Sequence, residues 1–261
     1  MIPQTYIIEW KKFVPWVSDA FVEQDLILSC ALSLIFSDSF LSERLVLRGG
    51  TAIHKLLLHP QVRYSEDIDL VQIKAEPAGQ MINQIRKVLS FLGKPKIIQK
   101  SFNNTLIFKF DSEIQPIVPL KLKVEINTRE HFNLLSLDEI EFQVNSSWFS
   151  RSIKIKTYNI NELLGSKLRA LYQRSKGRDL FDIWYVMTKT QVNAEVIVAS
   201  FHNFIEFQGV TINKDDYLKN LKAKISDPLF LGDIKALLRP GIGFSPDLAF
   251  ELIRDELIEK I

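Results

Sequence analysis

The spacing of apolar residues changes type near the middle of this chain, and a single repeating architecture cannot accommodate both patterns. In the first half, short runs with alternating or near-continuous apolar residues read as strands: "RLVLRG" (44–49), "EDIDLVQI" (66–73), "KIIQK" (96–100), "NTLIFKF" (104–110) and "PLKLKVEINT" (119–128). Turn residues at "FNN" and "DSEIQP" separate neighbours. Residues 20–37 and 77–92 repeat at helical spacing instead. From Asn161 onward the helical pattern runs almost to the end. Asn159 or Asn161 can cap "NELLGSKLRALYQR", Gly177 interrupts, and "RDLFDIWYVMTK" starts again. Further helices are expected over 193–208, 214–225, 229–238 and 246–259. The pattern predicts an α+β protein: an α/β domain with a small mixed sheet over 1–150, then a helical domain over 151–261, with the boundary in a loop around 145–160.

Composition narrows the class. A chain of 261 residues, 46% hydrophobic and 25% charged, has globular proportions. The single Cys30 has no intrachain partner for a disulfide, and His54, His59, His131 and His202 lack metal spacing, which argues against a stapled secreted fold or a zinc site. No basic-then-apolar leader opens the sequence. The longest apolar run, "LILSCALSLIF" (26–36), is too short to span a bilayer and reads as a core helix. The expected setting is the cytoplasm, with no membrane partner. The net charge of +2 is unevenly spread: eight basic residues and one acid lie between Arg151 and Arg178. That stretch either attracts a polyanion or has its counter-charges supplied from elsewhere in the fold.

Two aspartates on an apolar strand carry the chemistry. Residues two apart share a strand face, so Asp67 and Asp69 present carboxylates side by side while Ile68 and Leu70 face the packed side. Like charges held so close raise each other's pKa, and a cation between them relieves the repulsion. Magnesium suits oxygen ligands and is typically held by one or two carboxylates plus substrate phosphates. Upstream, "LVLRGGTAIHKLL" runs from a strand through Gly49-Gly50 into a helix with Ala52, Ile53, Leu56 and Leu57 on its apolar side. A glycine turn at a helix start exposes backbone amides and the positive end of the helix dipole to an anion. Thr51 can cap that helix or touch the same phosphate. A phosphate cradle and a metal clamp thus fall on consecutive strands.

In this order, "LRGGTAIHKLL", "RYSEDIDL", "ELLGSKLRALYQR" and "GRDLFDIW" resemble the AbiEii/AbiGii toxin family, nucleotidyltransferase-like toxins of type IV toxin-antitoxin and abortive-infection systems. The motifs cover roughly residues 20 to 190. The resemblance implies a polymerase-β-like nucleotidyltransferase core, an NTP substrate, Mg²⁺ and a cognate antitoxin. In some relatives, the MenT group, the acceptor is the 3′ end of tRNA. Two departures stand out. Gly50 occupies a position where the wider superfamily commonly has serine, and the spacer to Asp67 is long, which predicts an enlarged loop at "LLHPQVRYS".

Carried over residue by residue, the resemblance makes Asp67 and Asp69 metal ligands, Gly49, Gly50 and Thr51 the triphosphate site, and Lys167 the nucleotide-binding lysine. Arg63 and Ser65 are further candidates for nucleotide contact. A third carboxylate is expected beside the pair. In "PLKLKVEINT" Lys121, Lys123, Glu125 and Asn127 share one face, so Glu125 completes the metal site if that strand adjoins the Asp67 strand. Asp179 is a natural helix cap after Gly177, which leaves Asp182 as the favoured partner in the site, with Asp179 the other candidate. The expected acceptor is tRNA, faced by the basic stretch 151–178. A protein hydroxyl and NTP binding without turnover are the alternatives.

Overall fold

The computed structural model describes residues 2–261. The chain forms two compact units: the first runs to Phe132 and takes in Leu137–Tyr158, and the second comprises Asn133–Ser136 with Asn159–Ile261.

The first unit is built on a mixed sheet of seven strands: β1 (Leu45–Arg48), β2 (Asp67–Gln72), β3 (Lys96–Lys100), β4 (Asn103–Asp111), β5 (Pro119–Asn127), β6 (Asp138–Asn145) and β7 (Ser150–Thr157). Their spatial order is β3-β4-β5-β2-β1-β7-β6. β2 lies between β1, antiparallel to it, and β5, parallel to it. The alternation expected for β5 holds: Leu122, Val124 and Ile126 are fully buried while Lys121, Lys123 and Glu125 take the other face. Helices α1 (Gln4–Trp10), α2 (Asp19–Ser37), α3 (Ser39–Ser42), α4 (Gly49–Ala52) and α5 (Gly79–Val88) complete the unit, α4 continuing into a single π-helical turn at Ile53–Leu57. α2 contains the run read as a core helix and packs against β2, β5, β6 and β7. By length and composition its 19 residues are enough to cross a membrane, yet 78% of that apolar window is buried inside the protein. It also carries buried Glu23, Gln24 and Asp25. Asp25 accepts hydrogen bonds from the indole Nε1 atoms of Trp10 (3.0 Å) and Trp16 (2.9 Å) and pairs with the Lys55 ammonium at 2.7 Å. A buried charge persists in a core when it is paired and hydrogen-bonded in this way.

The division between the units does fall within 145–160, after Tyr158, but most of that segment is β7 rather than a loop. This strand pairs parallel to β1 and antiparallel to β6. The β6–β7 register sets Glu139 opposite Lys156 and Glu141 opposite Lys154. Opposite charges facing each other across strands stabilise a pairing that burial alone supports weakly on so exposed a hairpin.

The second unit is helical: α6 (Ile160–Gln173), α7 (Gly177–Lys189), α8 (Ala194–Glu206), α9 (Lys214–Ile225), α10 (Pro228–Gly232) and α11 (Pro246–Glu256). Asn159 is the cap of α6, accepting from the Asn161 amide at 3.0 Å. At its other end the Tyr217 hydroxyl donates to the Leu168 carbonyl (2.7 Å) and the Lys224 ammonium to that of Tyr172 (2.6 Å). The helix expected over 229–238 is shorter, ending at Gly232, with a separate 3₁₀ turn at Lys235–Leu237. Leu134 and Leu135 join this unit because their amides donate to the buried Glu162 carboxylate at 2.8 and 3.1 Å.

Candidate active site

The parallel register of β2 and β5 places Asp67 opposite Lys123 and Asp69 opposite Glu125. All four side chains therefore stand on one face of two neighbouring strands. The Lys123 ammonium lies 3.1 Å from Asp67 Oδ2 and 3.2 Å from Glu125 Oε1, with each of the three side chains about a quarter to a third exposed. Burial pushes the Asp67 carboxyl up to about 6; Lys123 opposes the shift, while Asp69 and Glu66 add to it. Burial alone would lower the Lys123 ammonium, but Asp67 and Glu125 outweigh it and hold the group above its ordinary value. Among the described residues no three His, Cys, Asp or Glu side chains close around one point as a metal cage does. Between Asp67 and Glu125 the point is held by an ammonium, a residue that alternation alone presented only as a flanking lysine.

The glycine turn abuts this face directly. Gly49 has φ +76°, a left-handed conformation that side chains rarely adopt, and a Cβ there would run into the Asp69 carboxylate. A Cβ on Gly50 would run into the guanidinium of Arg63. The loop between the glycine helix and β2 thus brings Arg63 against the position where the resemblance leads one to expect serine. Arg63 is not an exposed arginine. It is buried, its Nη1 donates to the Tyr64 carbonyl at 2.9 Å, and the Tyr64 ring stacks on Phe21 with centroids 4.2 Å apart. Thr51 does not present its hydroxyl as a helix cap. Fully buried, it donates to the main-chain carbonyl of Asp67 and lies 2.8 Å from the Ser65 hydroxyl. Thr51 and Ser65 thus tie the start of the glycine helix to the start of β2. The helix itself begins at Gly49 with no side-chain cap.

In the second unit, Lys167 is buried rather than on an accessible flank. Its ammonium sits 2.9 Å from Asp179 Oδ1 and 2.7 Å from Asp182 Oδ2, and both carboxylates are fully buried. Arg174 grips Asp179 with two hydrogen bonds, Nε to Oδ2 at 2.7 Å and Nη2 to Oδ1 at 2.9 Å. The expectation that Asp179 caps the helix is incorrect: α7 starts at Gly177 with Lys176 in the cap position, and Asp179 is its third residue. Both aspartates serve Lys167. Burial would raise the Asp179 carboxyl, but Lys167 and Arg174 overcome it and hold the group below its usual value.

The basic stretch 151–178 is mostly answered from within the fold. Lys167 and Arg174 are taken by Asp179 and Asp182, and Lys176 and Arg178 approach Asp233 at 3.3 and 3.8 Å. Arg169 is buried over the Phe204 ring, 4.7 Å from its centroid. Lys154 and Lys156 face the glutamates of β6. Of the two readings the sequence left open, internal counter-charges describe most of this segment.

Comparison with known proteins bears on the fold and the family. The chain aligns over 100% of its length with MenT4, a nucleotidyltransferase toxin of Mycobacterium tuberculosis H37Rv, at 13% identity and a TM-score of 0.67, covering 91% of that chain. A candidate nucleotidyltransferase from H. pylori aligns over 94% of this chain and 97% of its own at 17% identity, TM-score 0.56. At such identities the likeness establishes the fold. No curated protein matches the sequence. The family described as "Nucleotidyl transferase AbiEii toxin, Type IV TA system" matches residues 31–256, most of the chain. With that match the protein belongs to the AbiEii family of nucleotidyltransferase toxins.

Proposed function

We propose that this nucleotidyltransferase moves a nucleotide from an NTP to the 3′ end of tRNA, using Mg²⁺ held by Asp67 and Asp69 of β2 and Glu125 of β5. The observation that carries the reading is the β2–β5 register, which sets three carboxylates on one face with a cation already drawn between two of them. The donor set, anionic oxygen throughout, fits a hard divalent ion. Bound Mg²⁺ would polarise the phosphoryl group and neutralise charge on the departing pyrophosphate. The backbone amides at Gly49 and Gly50, at the positive end of the helical segment they open, receive the triphosphate. Arg63 packs beneath that turn and fixes its path, while Thr51 and Ser65 hold the turn in register with Asp67. Lys167 carries the family's nucleotide-binding role by motif, with Asp179 and Asp182 orienting its ammonium. The acceptor rests on the motif resemblance to relatives that act on tRNA. Metal and triphosphate are read on the first unit, and Lys167, Asp179 and Asp182 on the second. As the toxin of a type IV system the protein is restrained by a cognate antitoxin, and the cytoplasm is the setting this reading gives both.

Incubation with labelled NTPs, Mg²⁺, total RNA and protein extract tests this. Label in small RNA that vanishes with Asp67→Ala and Asp69→Ala supports it. Label in a protein band moves the acceptor to a protein hydroxyl. Retention of NTP on a filter without transfer makes the protein a nucleotide-binding module.

A further inference from the structure

Lys123 stands where a divalent ion would have to enter. Its ammonium is within 3.2 Å of both Asp67 and Glu125, and the strand register, rather than a flexible loop, puts it there. Val124 on one side and Leu122 on the other are fully buried, so the backbone of β5 cannot turn to withdraw it. Only the four-carbon stem can move. An ammonium and a divalent ion compete for the same oxygens, and two cations cannot share that point without strong repulsion.

We propose that Lys123 is a resident counter-cation that gates the metal site: it holds Asp67 and Glu125 in place while no metal is bound and must swing aside for a divalent ion to bind. This rests on the metal reading above and goes beyond it, because it makes metal affinity depend on the nucleotide. Metal alone has to break both ion pairs. Metal arriving with a triphosphate brings anionic oxygens that can take the displaced ammonium, so the two ligands bind cooperatively. Lys123 is accordingly a positioning residue that becomes available to phosphate only once displaced. The device keeps the site from filling before its substrate is present.

Titration with Mn²⁺, free ion read by electron paramagnetic resonance, decides the matter on the intact protein, with and without a non-hydrolysable NTP analogue. Lys123→Met keeps the stem and removes the charge. It should bind Mn²⁺ about tenfold tighter than the unmodified protein in the absence of nucleotide, the equivalent of releasing two part-exposed ion pairs. The metal-free variant should also melt lower, and the analogue should tighten its Mn²⁺ binding less than it does in the unmodified protein. Lys123→Arg, which keeps the charge, should stay weak without nucleotide and shows whether any change follows charge rather than shape. Equal or weaker Mn²⁺ binding by Lys123→Met, with binding still lost in Asp69→Asn, overturns the gate and leaves the metal site standing. Absence of Mn²⁺ binding in both the unmodified protein and Lys123→Met overturns both.

Discussion

Gly49 shows how much of this site depends on one missing side chain. Its φ of +76° and the Asp69 carboxylate in the path of any Cβ leave room for glycine alone. Gly49→Ala should cost about 1–2 kcal/mol in thermal stability and, by pushing Asp69 off its line, about a hundredfold in transfer rate. Comparing melting curves with initial rates of labelling would separate the two effects. The Asp67 carboxyl supplies a second expectation. Its pKa is raised from 3.8 to about 6, so the charged form is fully present only above that value. Metal binding should therefore fall as pH drops through about 6, rather than through the ordinary carboxylate range, and lose roughly tenfold per unit below it. Mn²⁺ titrations between pH 5 and 8 check this, and Asp67→Asn should flatten the profile. The same shift makes the ionised carboxylate a burden on folding: between pH 3.8 and 6 the native state keeps a proton the unfolded chain has lost, so this residue's contribution falls as pH rises through that window. Alternation was enough to put Asp67, Asp69 and Glu125 on outward faces in the sequence. It was not enough to identify Lys123, which gains its role from a strand some fifty residues away, or to place Asp179, whose capping role depended on where a helix started.

Among the elements, β1 to β5 announced themselves because each carries its own run of β-branched and apolar residues. β6 and β7 did not. Their outer halves are exposed, and their stability comes from facing charges and from β7 joining β1 through Leu47 and Thr157, a pairing across more than a hundred residues. Such contacts leave little trace in local periodicity. α2 was legible as a core helix, but its buried charge cluster was not. Asp25 anchors Trp10, Trp16 and Lys55, so it links the N-terminal segment to the helical turn that follows the glycines. Asp25→Asn would strand the Lys55 ammonium in the core, an error that costs about 3–5 kcal/mol. In a thermal melt this should lower the transition by on the order of 10 °C, and the Trp fluorescence should shift with it.

At the scale of the whole molecule, the change from strand to helical spacing was enough to give the α+β class, and the four motifs in order gave the family. Charge distribution was the weaker guide. Of the eight basic residues in 151–178, four are engaged by Asp179, Asp182 and Asp233, and counting charges in a sequence cannot show that. On the proposed RNA acceptor, binding should accordingly depend on salt with a log–log slope well short of the roughly −6 that eight phosphate contacts would give. Filter binding from low to moderate salt measures it. Chain connectivity has a last consequence. The main chain passes between the two compact units after Phe132, after Ser136 and again after Tyr158, because the short stretch around Leu134 is fastened to Glu162. A single cut after Tyr158 leaves every residue of the first unit on one fragment, but it strips the second unit of Asn133–Ser136 and of the two amides that Glu162 accepts from. A helical unit inherited by one crossover at that point would arrive without its own strap, and its Glu162 would have to accept whatever amides the new host carries at 134 and 135.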